Sequence, residues 1–394
     1  MFYVDGEWGM RIRNGVLCFA LMTIFFNGCG DDASSKIPTD GTLYQMGDIQ
    51  EETVDETMLD TEVTESLQDC LKETEVNPNI IAITISAAGD VTLGNHQNQD
   101  YAGSFRQMYE QKGTAYFFQN VKDIFMQDDF TIVNFEGVLT FAEEKQEKEY
   151  NMKGDPAYID ILTEGYVEAV SFGNNHRLDY LTRGSDDTVE AFEKAGIKYA
   201  YDKITGTYET KGITIGFVSV NVVSGGSAVE KYLKYGIEKL IDEDKCQLVI
   251  AFCHWGIERE NYPDDYQMEL GRKCIDWGAD LVLGAHPHVL QGVELYQGRF
   301  IVYSLANFCF GGNRNPVDKD TMIFQQTFTF IDDVKQEDIT AKVIPCLVST
   351  VKKRNDFCPT PASGDEYKRV LERINDYSAP FLVTFDKEGN YVLE

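Results

Sequence analysis

Four of the chain's five histidines stand in short polar clusters, each directly behind an apolar run. His176 lies in Gly173-Asn174-Asn175-His176-Arg177-Leu178-Asp179, and His254 in His254-Trp255-Gly256-Ile257-Glu258. His286 and His288 share Gly284-Ala285-His286-Pro287-His288. Two carboxylates hold matching places, Asp90 in Gly89-Asp90-Val91-Thr92-Leu93-Gly94 and Glu136 in Asn134-Phe135-Glu136-Gly137. A sixth cluster reads Tyr303-Ser304-Leu305-Ala306-Asn307-Phe308. Neutral imidazole is the commonest metal ligand, and carboxylates and amides complete mixed nitrogen and oxygen sets. His286 and His288 sit two residues apart on an irregular loop and can face different ions, with Pro287 stiffening their separation. His96 reads as a surface residue. Ser304 has no G-x-S-x-G elbow around it, which argues against a serine hydrolase. Gly225-Gly226 lacks the Lys-Ser/Thr of a phosphate-binding loop.

The apolar runs that precede these clusters are short and β-branched. They fall at 80–86, 130–133, 167–172, 213–220, 248–252, 281–283 and 300–303. Segments with helical period occupy many of the gaps, at 116–126, 187–195 and 265–277. Strands alternating with helices indicate an α/β domain. In such a sheet ligands bind beyond the carboxyl ends of the strands. Six loops should therefore converge on one rim. After residue 310 the character changes. Antiparallel strands are predicted at 322–330 and 339–347, a charged amphipathic helix at 365–377, and a closing strand at 381–385.

In sequence order the clusters read as a glycine-aspartate loop, N-x-E, N-N-H-x-x-D, H-W-G-x-E, G-x-H-P-H and Y-S-L-x-N-F. This series resembles the CapA family of poly-gamma-glutamate capsule proteins over about residues 81–377. That family is related to calcineurin-like metallophosphoesterases. The resemblance implies a four-layer α/β/β/α sandwich holding one or two divalent ions, with manganese, iron and zinc all compatible. By position, Asp90 and His288 look like ligands of a first metal. Asn175, His254 and His286 look like ligands of a second, with Glu136 as the bridging carboxylate. His176 looks like the catalytic histidine beside the reacting group, oriented by Asp179. Asn174, Glu258, Tyr303 and Asn307 fall where substrate or supporting contacts are expected. Two residues depart from the pattern. Thr92 stands where the phosphoesterases carry the histidine of D-x-H, which weakens the first site, and Ala306 stands where CapA proteins usually have glycine. The implied activity is metal-dependent hydrolysis in the synthesis, export or anchoring of a capsule or cell-envelope polymer. Its rival, favoured by Thr92, is a non-catalytic polymer-binding or scaffold component of a membrane capsule synthase complex.

The net charge of −30 argues against a nucleic-acid surface and a polybasic membrane patch. Much of it lies in residues 31–80, where fourteen acidic residues face only Lys36 and Lys72. Such a segment cannot bury enough apolar surface to fold and reads as a disordered tether. Ahead of it, Arg11 and Arg13 precede an apolar run at 16–26 that is too short to span a bilayer comfortably. Phe26-Asn27-Gly28-Cys29 then resembles a bacterial lipobox with Cys29 as the lipid site. Met10 makes a better signal start than the acidic, aromatic residues before it. The expected layout is a signal segment at 1–29, a linker at 30–79, the core at 80–312, and a completing segment at 313–394. The expected location is extracytoplasmic, on a bacterial membrane. The nine cysteines form no C-x-x-C pair. Those beyond Cys18 and Cys29 are odd in number and read as buried free thiols. Acylation of Cys29 predicts that Cys29→Ser releases the protein from membranes or blocks its processing. Fractionation and gel mobility check this, and unchanged attachment with unchanged mobility refutes it.

Overall fold

Strand Ile80–Thr92 runs through the middle of the molecule and is buried along its whole second half. A computed structural model describes residues 78–393. The signal segment, Cys29, Cys70 and nearly all of the 30–79 linker lie outside the described residues. Edge to edge, the first sheet runs Thr360–Pro361, Thr340–Leu347, Asp320–Ile331, Ile80–Thr92, Phe130–Phe135, Ala169–Ser171, Lys198–Ala200. Its last four strands are parallel, whereas Asp320–Ile331 and Thr340–Leu347 are antiparallel additions from the chain's end. The short strand Asn307–Phe310 joins the carboxyl end of Ile80–Thr92 in parallel and sets Asn307 beside Asp90.

The second sheet runs Val293–Tyr296, Arg299–Val302, Leu281–Ala285, Leu248–His254, Ile213–Asn221, Gly206–Thr210, with its four inner strands parallel. Strands covered on both faces need apolar residues at successive positions, which is why their sequences read as continuous runs rather than alternating ones. In Leu248–His254, Leu248, Ile250 and Phe252 enter the core between the sheets, while Val249, Ala251 and Cys253 enter the outer core. The inner core also takes Ile83, Ile85, Phe130 and Ile132 from the first sheet. Helices Val229–Asp242 and Asp265–Asp276 cover the outer face of the second sheet through Leu233, Ile237, Leu270 and Cys274. Helices Phe105–Lys112 and Leu181–Ala195 cover the first through Phe105, Ala191 and Phe192. The result is the expected α/β/β/α sandwich. Helix Gly364–Ser378 adds Val370, Leu371 and Ile374 to the inner core.

Two elements differ from expectation. Residues 116–126 form a tight turn at Thr114–Tyr116 and one short helix, Lys122–Phe125. Phe117 stacks on Phe105 at 4.3 Å, and the Asn120 amide bonds to Thr360 Oγ1 at 2.9 Å. Tertiary anchoring replaces helical continuity there. Residues 381–385 are not a strand. Pro380 opens a turn at Ala379–Phe381, Leu382 adopts a left-handed φ of 58°, and only Phe385 bridges, to Tyr391. The described cysteines Cys246, Cys253, Cys274, Cys309, Cys346 and Cys358 are free thiols, all but Cys246 buried.

One close approach sets the position of the first polar loop. A Cβ added to Gly89 would lie 1.8 Å from the Ala306 carbonyl oxygen, which accepts the Asp90 N–H at 2.9 Å. Any side chain at position 89 must push these backbones apart. Gly89→Ala is therefore expected to lower stability by on the order of 3 kcal/mol, through overpacking and the lost hydrogen bond. Thermal and denaturant unfolding check this.

Candidate metal centre

The parallel strands of both sheets end on the same side of the sandwich, and their polar clusters meet at the seam between the sheets. Asp90 closes Ile80–Thr92, and Asn134 with Glu136 closes Phe130–Phe135. Asn174, Asn175 and His176 follow Ala169–Ser171. From the second sheet, His254 ends Leu248–His254, and His286 and His288 follow Leu281–Ala285. The loop carrying the two histidines is bent sharply, with left-handed φ of 98° at His286 and 58° at His288. Gly284 permits this bend to lie flat on the next strand, since a Cβ there would meet the Tyr303 carbonyl oxygen at 2.0 Å.

Contacts across the seam form two linked groups. In one, Asp90 Oδ2 lies 2.9 Å from His288 Nδ1, and His288 Nε2 lies 3.8 Å from Glu136 Oε1. Asn307 Oδ1 is 3.0 Å from His288 Nδ1, and its amide donates to the His288 carbonyl at 3.1 Å. In the other, His254 Nε2 lies 2.9 Å from Asn175 Oδ1 and 3.2 Å from His286 Nδ1. Asn134 joins the groups: its amide donates to Asp90 Oδ1 at 2.8 Å and lies 3.3 Å from His254 Nδ1.

His176 stands beside both groups. Its Nε2 is 3.5 Å from Glu136 Oε1, and its Nδ1 is 2.7 Å from Asp179 Oδ2. Lys148 pairs with Asp179 Oδ1 and donates to the Asn175 carbonyl at 3.1 Å. Asn174 acts on the backbone, donating to the Phe135 carbonyl at 2.6 Å and accepting the His176 N–H at 3.0 Å. Beneath this loop, Ser219 Oγ accepts the Gly173 N–H and contacts Ser171 Oγ, both at 2.8 Å. The two sheets are thus stitched directly under the site.

The electrostatics fit a cation. Glu136 is fully buried, and neither carboxylate oxygen has a hydrogen-bond partner. Burial and then the Asp90 charge push its pKa well above the usual carboxylate range. Burial and then neighbouring imidazoles hold His254 well below its ordinary value and His286 down to about 4, so both are neutral nitrogen donors. Burial opposes charge on His288 as well, yet the Glu136 and Asp90 carboxylates raise it to about 10. The carboxylate pair draws positive charge into the site, a demand that a divalent ion meets. Two sets of three side chains bring ligand atoms within 4.8 Å of one another: Asp90, Glu136 and His288, and Glu258, His286 and His288.

Asp90, Glu136, Asn175, His176, His254, His286 and His288 therefore come together, with Asn174, Asp179 and Asn307 supporting them. Tyr303 does not join them. Its side chain lies in the outer core against Trp255 and Phe381, with its hydroxyl on Glu294, so it does not line the substrate cleft. His96, expected at the surface, is half-buried against Tyr150 and borders a cleft of about 720 Å³. Glu136, His176, Glu258, His288 and Asn307 open into that cleft, with Arg259 and Arg314 on its wall. Thr92 gives no ligand, because its hydroxyl donates to the Glu136 carbonyl at 2.7 Å.

Sequence reasoning missed Asn134, Lys148 and Ser219. Asn134 was accessible from its own motif, being two residues before Glu136 on an extended segment and hence on the same face. Lys148 sits in a charged loop whose pattern does not set it apart.

A family model for "Bacterial capsule synthesis protein PGA_cap" matches residues 84–312, which carry every one of these site residues. The chain belongs to that family. It is 31% identical over 248 residues to the PGA biosynthesis protein CapA of Bacillus subtilis (strain 168), covering 58% of this chain and 63% of that protein. It is 28% identical over 253 residues to the capsule biosynthesis protein CapA of Bacillus anthracis, covering 58% and 60%. The match spans less than two thirds of either relative. Among solved structures, TT1561 of Thermus thermophilus overlaps at a TM-score of 0.39 and 12% identity, covering 62% of this chain and 94% of that one. A 5'-nucleotidase from Candida albicans SC5314 overlaps at 0.37 and 13%, covering 77% and 59%. These overlaps are shallow, and the fold and site stand on their own geometry.

In this member of the family, metal should raise the melting temperature, since a ligand that binds only the folded state stabilises it. His286→Ala is expected to lose most bound metal, and His176→Ala to retain it. Metal content after gel filtration checks both.

Proposed function

We propose that this chain is a metal-dependent hydrolase of the phosphoesterase type, lipid-anchored outside the cell, acting in the synthesis, export or anchoring of capsule poly-gamma-glutamate. The observation that carries the reading is the unpartnered buried carboxylate of Glu136, flanked by two imidazole groups and open to a cleft. Asp90, Glu136 and His288 would hold one divalent ion, and Asn175, His254 and His286 a second. Such an ion supplies Lewis-acid chemistry, withdrawing charge from an oxygen at the reacting centre. The chain's own groups do the rest. Asp179 holds Nδ1 of His176, leaving Nε2 to give a proton to a departing oxygen. Lys148 holds Asp179 in turn. Arg259 and Arg314 on the cleft wall offset part of the repulsion that an anionic polymer meets from a chain of net charge −30.

The family membership supports the capsule assignment. The apolar run before Cys29 supports the anchor; among the described residues no helix is long and apolar enough to cross a membrane. Thr92, turned away from the centre, favours the second reading, a polymer-binding component without catalysis. The full chain, loaded with manganese, distinguishes them with bis(p-nitrophenyl) phosphate and poly-gamma-glutamate as substrates. Hydrolysis that needs metal and falls about 100-fold or more in His176→Ala supports the enzyme, as expected for loss of a general acid. Full metal occupancy without turnover of either substrate overturns it in favour of the binding component.

A further inference from the structure

We infer that Glu258 is a metal ligand of this centre and supplies the donor that position 92 does not. Its carboxylate, a nitrogen of His286 and a nitrogen of His288 lie within 4.8 Å of one another. His288 also belongs to the set with Asp90 and Glu136, so the two groups share a member. Thr92 is buried and engaged with the Glu136 carbonyl, so its strand offers the first site Asp90 and no second donor.

The loop bearing Glu258 is fastened to the loop bearing the histidines on both sides. Before it, the Trp255 N–H donates to the Ala285 carbonyl at 3.0 Å, and the Trp255 indole N–H donates to the Tyr303 carbonyl at 2.8 Å. After it, the Arg259 N–H donates to the Pro287 carbonyl at 2.8 Å, and the Asn261 amide to the Leu290 carbonyl at 3.0 Å. Gly256 and Arg259 take left-handed φ of 82° and 67°, turning the chain so that it lies along 285–287. A surface carboxylate needs no such fastening for solubility. Among the described residues no hydrogen bond or ion pair engages the Glu258 carboxylate, so it is free to coordinate.

Exchanging an imidazole for a carboxylate makes the ligand set harder. Carboxylates suit manganese and magnesium, whereas imidazole suits zinc, copper and nickel. The centre should therefore hold manganese better, relative to zinc, than one with histidine at position 92.

The inference rests on the metal-centre reading and not on hydrolysis, and metal alone tests it. The full chain is titrated with cobalt(II), read by visible absorption, and with manganese(II), read by the free-ion resonance signal. Glu258→Gln is expected to weaken the looser ion at least tenfold and to change the cobalt spectrum. The melting temperature of the metal-free protein should stay the same, because the side chain is exposed and unpaired. Glu258→His should restore tight binding: a neutral imidazole replaces a ligand but cannot replace a charge acting at a distance. Binding by Glu258→Gln within twofold of the wild type, or failure of Glu258→His to recover binding, overturns the inference. His286→Ala separates the two levels. If it loses metal while Glu258→Gln does not, only the role of Glu258 falls. If both bind as the wild type does, the metal centre itself is wrong.

Discussion

Three carboxylates, Asp90, Glu136 and Asp179, are fully buried where the two sheets meet, and the arrangement around them follows from that burial. A buried ion costs several kcal/mol unless opposite charge and hydrogen bonds compensate it. Asp179 has Lys148 and His176, and Asp90 has the Asn134 amide and His288. Glu136 has only imidazole nitrogens at 3.5 and 3.8 Å. From the second sheet, His288 reaches both Asp90 and Glu136. The two sheets must therefore keep their relative position for the site to exist.

The scaffold meets that requirement with backbone contacts too close for side chains. Gly89 lies against Ala306 and Gly284 against Tyr303, while Ser171 and Ser219 bond across the seam. Ala306 itself holds a left-handed φ of 65°, a conformation that costs a non-glycine residue roughly 1–2 kcal/mol. The resemblance expects glycine there, and the protein keeps the conformation with alanine. The chain's last segment contributes from behind. Thr321 donates to the Leu305 carbonyl at 2.9 Å, just before Ala306, and neighbouring Asp320 pairs with Arg369 and Arg373 of the final helix. Residues after 312, though distant in sequence from the histidines, thus support the loop that carries Asn307.

Position 92 shows how one substitution redirects local chemistry. Threonine cannot serve as an imidazole, but its hydroxyl fastens the Glu136 loop by a buried hydrogen bond. Thr92 thus positions the central carboxylate and offers no imidazole to a cation. The rim carboxylate of Glu258 lies within 4.8 Å of a nitrogen of His286 and of His288.

The strands, their order of use and the site at their carboxyl ends were legible from the sequence. Apolar β-branched runs declare buried strands, and a chain with five histidines that places four just after such runs declares where they gather. The α/β class followed from the alternation of periods, and the four layers from the family resemblance. What the sequence left open depended on contacts between distant segments. The helix expected at 116–126 gave way to aromatic packing against Phe105 and Tyr109. The strand expected at 381–385 gave way to a turn at Pro380 and Leu382. Tyr303 follows a strand as the candidate ligands do, but strand alternation sends its ring to the outer core, and only the packing of helix and sheet decides which face that is. Lys148 became visible as the partner of Asp179 only when the loop at 140–151 folded over His176. Periodicity and residue type are local properties carried by the sequence itself. Which buried charge meets which counter-charge is a property of two sheets brought face to face, and no local pattern encodes it.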